Sequence, residues 1–265
     1  MSDEPQITDD AFLGGQLHIL QPAEGYRAGL DAVLLAATLT PLTGEGATRV
    51  LDAGAGVGVV GLAIARRLSQ AIVTLVEREP LLLDLAERNV ARNGLSDRVR
   101  VIGADISAGG AALHGRSRDG SDGDGALAPG SFEHLVCNPP YHATGAGTRS
   151  ALQRKARAHH MPEAALDRWL AFLATAGTSG ARLSLIHRAD ALGRVLEAIG
   201  SRFGRVRIMP VHPKARLPAN RILVEAVKGS RAPLEIRPGL VLQEHDGRYR
   251  PEIEAVLREG APLAL

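Results

Sequence analysis

An apolar run that begins at Phe132 ends in Asn138-Pro139-Pro140-Tyr141, and each of these four residues has a chemical use. The two prolines fix φ and remove two backbone donors, so the chain here is stiff and cannot continue a ladder. Asn138 offers a side-chain carbonyl, and the backbone carbonyl beside Pro139 offers a second acceptor. Two acceptors converging on one point suit the NH2 group of a flat substrate. Tyr141 supplies a face on which that substrate can stack. Aromatic residues make up only 3% of the chain, which gives a tyrosine here more weight. The same four residues also read as a proline-punctuated turn after a core strand, so the rest of the chain must decide.

Three carboxylates stand in comparable positions. Asp52 directly precedes Gly54-Ala-Gly56-Val-Gly58, where glycines allow a tight turn and close approach of backbone to a ligand. Glu77 ends the next apolar run, twenty-three residues beyond Gly54, where a carboxylate can accept both hydroxyls of a ribose. Asp105 ends the run after that and can accept from an adenine amino group. Glu77 alone does not name the nucleoside, because nicotinamide enzymes share that feature. The glycines are ambiguous too: Gly56-x-Gly58-x-x-Gly61 has dinucleotide spacing. An acid at Asp52 would repel a pyrophosphate but could hold the ammonium of an amino-acid cofactor. One carboxylate at each successive strand end, joined by Asn138, points to a nucleoside pocket rather than to three unrelated loop acids.

The elements that must position these residues alternate. A helical apolar face covers Leu30–Leu39 and stops at Pro41 and Gly44. Strands are expected at 49–52, 71–77, 98–105 and 132–138, with helices running to about Leu68 and from Pro80 to Asn93-Gly94. Beyond the catalytic loop come a helix over 163–176, a strand over 181–187, a helix over 190–199, and strands near 205–211 and 220–228. A short strand and a terminal helix at 252–259 close the chain. Alternation of this kind predicts a doubly wound α/β sheet with ligands at the carboxyl ends of its strands. Residues 107–131, rich in Gly, Ser, Ala and Asp, read as a flexible surface insertion. Its Asp/Gly run lacks the closing Glu of a calcium loop. Three segments follow: 1–45 with a cofactor-capping helix, 46–232 as the central domain, and 233–265 as a tail packed on or extending it.

The chain has 265 residues, 45% of them hydrophobic and 23% charged, as in an ordinary globular protein. Its single cysteine, Cys137, excludes an internal disulfide and reads as a small buried strand residue. The sequence offers no convincing metal cluster, no signal peptide and no apolar run long enough to span a bilayer, so the expected location is the cytoplasm. Net charge is +2 but unevenly spread. Residues 148–232 carry 16 Arg and Lys against 5 Asp and Glu. Most are arginines, whose planar fork matches phosphate. Such a block is the footprint of a polyanion partner. Arg149, Arg154, Lys155 and Arg157 follow the Asn138–Tyr141 segment and are the expected polyanion contacts, with His159 and His160 just beyond them.

The array of Asp52-Ala-Gly-Ala-Gly-Val-Gly58, Glu77, Asp105 and Asn138-Pro-Pro-Tyr141 resembles a class I S-adenosylmethionine-dependent methyltransferase of the amino-methylating branch. Tyr26-Arg-Ala-Gly-Leu-Asp31-Ala-Val-Leu-Leu35, Arg157-Ala-His-His160, Ile186-His-Arg188 and Pro218-Ala-Asn-Arg-Ile-Leu-Val-Glu225 are similar to one subgroup, the bacterial tRNA1(Val) (adenine-37-N6)-methyltransferases. The similarity covers roughly 12–255 except the insertion. It implies a Rossmann-like, seven-stranded, mostly parallel sheet with helices on both faces. It implies S-adenosyl-L-methionine as cofactor, held by Tyr26, Arg27, Asp31, Asp52, Gly54, Gly56, Gly58, Glu77 and Asp105. It implies catalysis at Asn138, Pro139, Pro140 and Tyr141 without a metal, on an adenine of RNA, most simply tRNA. That makes Arg149, Arg154, Lys155 and Arg157 expected RNA contacts, with His159 and His160 as surface or RNA-facing residues. One departure stands out. The subgroup pattern has an acid after its Ala-Arg-His, where this chain reads Ala156-Arg-Ala-His159-His160-Met161.

Three alternatives stay open at this level. The acceptor could be a DNA adenine, an rRNA guanine or a protein glutamine. The enzyme could be an NAD(P)-dependent oxidoreductase, although no Tyr-x-x-x-Lys relay is present. The chain could also be a catalytically silent RNA-binding protein on a vestigial cofactor fold.

Overall fold

The computed structural model describes residues 5–25, 27–40, 47–108, 127–140 and 165–265. The chain opens with an antiparallel hairpin, β1 (Ile7–Phe12) and β2 (Leu17–Pro22), that the sequence pattern did not reveal. Helix α1 (Leu30–Thr38) follows, buried along most of its length, as a helical run of Ala, Val and Leu requires. Then come β3 (Thr48–Ala53), α2 (Val59–Arg67), β4 (Ala71–Glu77), α3 (Pro80–Arg92), β5 (Val99–Gly103) and β6 (Phe132–Cys137). The second half consists of α4 (Ala165–Ala176), β7 (Gly177–Arg188), α5 (Leu192–Ile199), β8 (Phe203–Lys214), β9 (Arg221–Lys228), β10 (Glu235–Ile236), β11 (Leu240–Gln243) and α6 (Pro251–Glu259).

The large sheet has the order β10-β8-β9-β7-β6-β3-β4-β5, with β11 also pairing along β8. Seven long strands match the expected architecture. The two short tail strands are additional and run parallel along the free edge of β8. Pairing is parallel from β7 to β5, and β9 runs antiparallel to both β7 and β8. Successive residues of β3 face opposite layers, as a strand must. Val50 packs in the cluster formed with α1, α2 and α3, and Leu51 and Ala53 pack in the cluster with α4 and α5. The sheet is therefore covered on both faces, and its strands read as continuous apolar runs for that reason.

Two buried polar side chains attach the hairpin. Asn89 is 0% exposed although it lies on the apolar face of α3 beside Leu85, Ala86 and Val90. Its Oδ1 accepts from the Leu20 N–H at 2.7 Å, and its Nδ2 donates to the carbonyls of Leu20 and Val57. Gln21 donates to Asp10 and accepts from the Ala28 N–H. A buried amide with every contact satisfied fixes one register for the hairpin.

The insertion expected at 107–131 is shorter at its packed ends. Ile106 and Leu127 are both buried, and residues 109–126, with the Asp119–Gly125 run, lie outside the described residues. Among the described residues no helix is long and apolar enough to cross a membrane.

Candidate active site

The chain runs β3, β4, β5 outward on one side and then returns to place β6 on the other side of β3. Between β6 and β3 the order reverses, and a crevice at such a reversal is where α/β sheets receive ligands. The parallel registers pair Ala53 with Cys137, Ala53 with Val76, and Glu77 with Gly103. Asn138, Gly54, Glu77 and Asp105 consequently emerge in a row at the carboxyl ends of four neighbouring strands. Strand spacing of about 4.8 Å puts the row's ends about 14 Å apart, the scale of a nucleoside with a side chain.

The glycine loop is folded by its own bonds. Gly54 and Ala55 N–H groups donate to the Val76 carbonyl, Gly58 N–H to the Ala55 carbonyl, and Gly56 N–H to Glu77 Oε2 at 2.9 Å. Gly54, Gly56 and Gly58 all have φ between 58° and 92°, a region that favours glycine. A Cβ on Gly54 would also lie 2.3 Å from Trp169 Cη2. Gly61 has a different reason to be glycine: its Cβ would meet Leu75 Cδ2 at 2.2 Å, so its absence lets α2 lie against β4. With four loop donors already used, the loop presents bare backbone rather than a nest for pyrophosphate.

Glu77 is 8% exposed. Its Oε1 accepts from the N–H groups of Arg78 and Glu79 at 2.7 and 2.9 Å, while Oε2 takes Gly56. Three donors leave lone pairs on a carboxylate that can take about four, enough for a ligand hydroxyl. Asp52, 1% exposed, accepts from the Gly61 N–H at 2.9 Å. Burial pushes Asp52 up to about 7, with the Gly61 bond opposing and the Glu77 charge adding to the rise. Two acids beneath the loop suit a cofactor bearing ammonium and sulfonium groups and disfavour a diphosphate. Partial burial would raise Asp105, but bonds from the Ser107 N–H and hydroxyl, together with Arg78, hold its carboxyl below the ordinary value.

Asp31, in the first turn of α1, accepts from Arg221 Nε at 2.9 Å. Arg221 opens β9 opposite Arg188 at the end of β7, so this pair ties α1 to the carboxyl edge of the sheet. Arg27 is engaged elsewhere. It donates to Asp10, to the Thr8 hydroxyl and to the Pro22 carbonyl, fastening the hairpin. Asn138 is half-buried, Pro139 buried and Pro140 exposed. Tyr26, Tyr141, Arg149, Arg154, Lys155, Arg157, His159 and His160 lie outside the described residues. Burial pushes the Cys137 thiol up, which leaves it an inert core residue.

Sequence reasoning missed three contributors. Trp169 of α4 packs its six-membered ring on Gly54; its only sequence signal is that it is the sole tryptophan. Asn89 links hairpin and glycine loop, and a polar residue on an apolar helix face was its signal. Arg221 holds Asp31 across 190 positions of chain, a separation no local pattern can show.

Comparison with known proteins agrees with this geometry. The model of the methyltransferase small domain matches residues 30–163. A tRNA1(Val) (adenine(37)-N6)-methyltransferase of Shewanella loihica is 30% identical over 185 residues, 70% of this chain and 69% of that one. One from Tolumonas auensis is 29% identical over 256 residues, covering 94% and 95%. A crystal structure from Agrobacterium tumefaciens, described as a predicted O-methyltransferase, is 31% identical with a TM-score of 0.68, covering 89% of this chain and 99% of that one. A Pyrococcus furiosus methyltransferase shares the fold at a TM-score of 0.53 and 17% identity, over 81% and 90%. With its strand-end carboxylates and glycine loop in this arrangement, the chain belongs to the methyltransferase small domain family and is an S-adenosyl-L-methionine-dependent methyltransferase.

Proposed function

We propose that the protein methylates N6 of an adenine in RNA, with a tRNA as the substrate. The observation that carries this reading is the placement of Asn138-Pro139 on the strand adjoining the glycine loop, at the sheet's reversal point. When bound, the cofactor supplies an electrophilic methyl group on its sulfonium. Glu77 would hold the ribose, Asp105 the adenine amino group, and Asp52 and Asp31 the amino-acid end.

The chain's own contribution to the reaction is acceptor geometry. An adenine amino nitrogen is a poor nucleophile because its lone pair is delocalised into the ring. Its two N–H groups donate to the Asn138 side-chain carbonyl and to the carbonyl beside Pro139, which favours a pyramidal nitrogen with the lone pair free. That is positioning with preorganised dipoles, and it needs no strong base. Tyr141 stacks on the base, which must first leave its strand. The two prolines keep the carbonyls from rotating away.

Relatives differ in the acceptor their descriptions name: nitrogen of adenine in tRNA for the Shewanella and Tolumonas proteins, oxygen for the Agrobacterium protein. The proposed pair of carbonyl acceptors would match the two hydrogens of an amino group, whereas a hydroxyl has one to give. That difference favours nitrogen. The basic character of residues 148–232 favours a nucleic acid over a protein glutamine. An anticodon loop, with unstacked bases, suits the site and would be met in the cytoplasm.

The test incubates the protein with labelled S-adenosylmethionine and, in parallel, bulk tRNA, rRNA, DNA and release-factor protein, followed by digestion and mass spectrometry. N6-methyladenosine from tRNA is the expected product. Label in DNA, protein or a ribose oxygen would overturn the acceptor.

A further inference from the structure

The part of the basic block nearest the catalytic loop in sequence is Arg149–Arg157, but the sheet brings another part of it to the same edge. β8 runs antiparallel to β9, and β9 antiparallel to β7. The end of β8 and the start of β9 therefore lie with the carboxyl ends of β6 and β7. The turn Ala215–Asn220 joins them there. In the order β8-β9-β7-β6 it stands three strands from Asn138, about 14 Å at ordinary strand spacing.

The composition of this turn is one-sided. His212-Pro-Lys214-Ala-Arg216-Leu217-Pro-Ala-Asn-Arg221 contains three permanent cations and no acid. Ala215 to Pro218 are exposed, and Leu217, at 49%, is among the few large hydrophobic residues left in solvent. Several other surface arginines are paired: Arg188 with Asp190, Arg202 with Asp167, Arg248 with Asp246 and Arg250 with Glu244. Arg216 forms no ion pair among the described residues, and Lys214 donates to the His245 carbonyl, not to a carboxylate. The turn is nevertheless well defined. Leu217 N–H donates to the Lys214 carbonyl, Asn220 N–H to the Val211 carbonyl, and His212 Nδ1 lies 2.9 Å from the Leu217 carbonyl. Pro213 and Pro218 bracket it and limit its backbone freedom.

A rigid projection with unpaired cations, no acids and one apolar tip residue, at the edge where the target base would sit, has the features of a nucleic-acid clamp. We propose that the β8–β9 turn, through Lys214, Arg216 and Leu217, docks the RNA substrate outside its target nucleotide. Lys214 and Arg216 contact backbone phosphates, and Leu217 packs against an unstacked ribose or base. This rests on the RNA reading of the site. It adds phosphate contacts to those expected from sequence at Arg149–Arg157. Phosphate contacts of this kind set register and affinity and carry no sequence information.

The test measures binding of labelled bulk tRNA to the full-length protein between 50 and 200 mM salt, for wild type, Lys214→Ala/Arg216→Ala and Arg216→Glu. Each lost phosphate contact should remove about 0.7–0.9 from the slope of log affinity against log salt, so the double variant should lose roughly 1.4–1.8. Cofactor affinity, read with S-adenosylhomocysteine, and the urea midpoint should stay at wild-type values, because the turn is exposed and holds no core residue. A wild-type slope in the double variant overturns the clamp while leaving tRNA methylation intact. Failure of wild type to bind tRNA at all overturns it as well. Equal wild-type binding of poly-glutamate, lost in the same variants, would mark a general polyanion surface and overturn the assignment to RNA. Methyl transfer to DNA or protein with the tRNA slope still reduced by the variants would defeat the acceptor reading alone.

Discussion

Under the proposed reading Glu77 serves both the glycine loop and the cofactor ribose, and replacing it with glutamine tests the two roles. In the protein its carboxylate accepts three backbone N–H groups, from Gly56 at 2.9 Å, Arg78 at 2.7 Å and Glu79 at 2.9 Å. A glutamine can keep its oxygen toward Arg78 and Glu79, but its amide nitrogen then faces the Gly56 N–H, donor against donor. The Gly56 bond is buried, and leaving a buried donor unsatisfied costs about 1–3 kcal/mol. The other two bonds weaken from charged to neutral acceptor, for a further ~0.5 kcal/mol each. The sum is about 3 kcal/mol, a shift in urea midpoint on the order of 1 M for a chain of this size. A ribose hydroxyl that loses a charged acceptor weakens the cofactor by tenfold or more, about 1.4 kcal/mol. Urea titration followed by tryptophan fluorescence reads the first effect, and calorimetric titration with S-adenosylhomocysteine reads the second. A Glu77→Gln protein with the wild-type midpoint and the wild-type Kd would refute both roles. Lost affinity at an unchanged midpoint would show that the loop does not depend on this carboxylate.

Asn138→Ala should lower turnover by about 10²–10³, the usual cost of removing one preorganised catalytic hydrogen-bonding group, with S-adenosylhomocysteine affinity unchanged; full turnover would sink the amino-acceptor geometry. Gly54→Ala meets both a positive φ of 70° and the Trp169 ring. It should lose about 2–4 kcal/mol of stability by chemical denaturation. Combining it with Trp169→Ala should be non-additive by at least about 1 kcal/mol, and additivity would show that the ring does not press on the loop. Burial pushes Asp52 up to about 7, so its favourable contribution is present below the ordinary carboxylate range and is lost as pH rises through that value. His134 and His187, pushed down to about 4 by burial, act in the opposite sense: they stabilise above the ordinary histidine range and are lost as pH falls through about 4. Because the histidines are common to both proteins, the stability of Asp52→Asn relative to wild type should climb between pH 4 and 7 and then level. A difference that stays flat across that window would contradict the burial argument.

Much of the sheet was legible because it is buried on both faces. Val50-Leu51, Val73–Val76, Val101-Ile102 and Leu135-Val136 read as core strands from composition alone, since such strands need no alternation. The hairpin at Ile7–Pro22 was not legible. Its first strand is largely polar and its second is short, and what seats Leu17 and Ile19 in the core is pairing with Asn89 of α3 and Asn93 at its end, some seventy positions away. In the tail one short strand was expected and two form: β11, with Leu240, Val241 and Leu242, carries a strand pattern, whereas β10 is only Glu235–Ile236 and takes its pairing from β8.

The sequence by itself determined the groups on which the proposed chemistry rests: an acid at each of three strand ends, glycines where the backbone must turn, and an Asn-Pro-Pro segment after β6. Those are local requirements, and local requirements leave a local mark. The tertiary structure alone decided how these groups meet. It used the loop's donors internally, so that Gly56 leans on Glu77 rather than on a diphosphate. It set Trp169 against Gly54, and it committed Arg27 to the hairpin while giving Asp31 to Arg221. It also carried the Lys214–Arg221 turn to the edge where Asn138 emerges. Each of these depends on which strand lies beside which, and strand order comes from packing the whole chain, not from any one stretch of it.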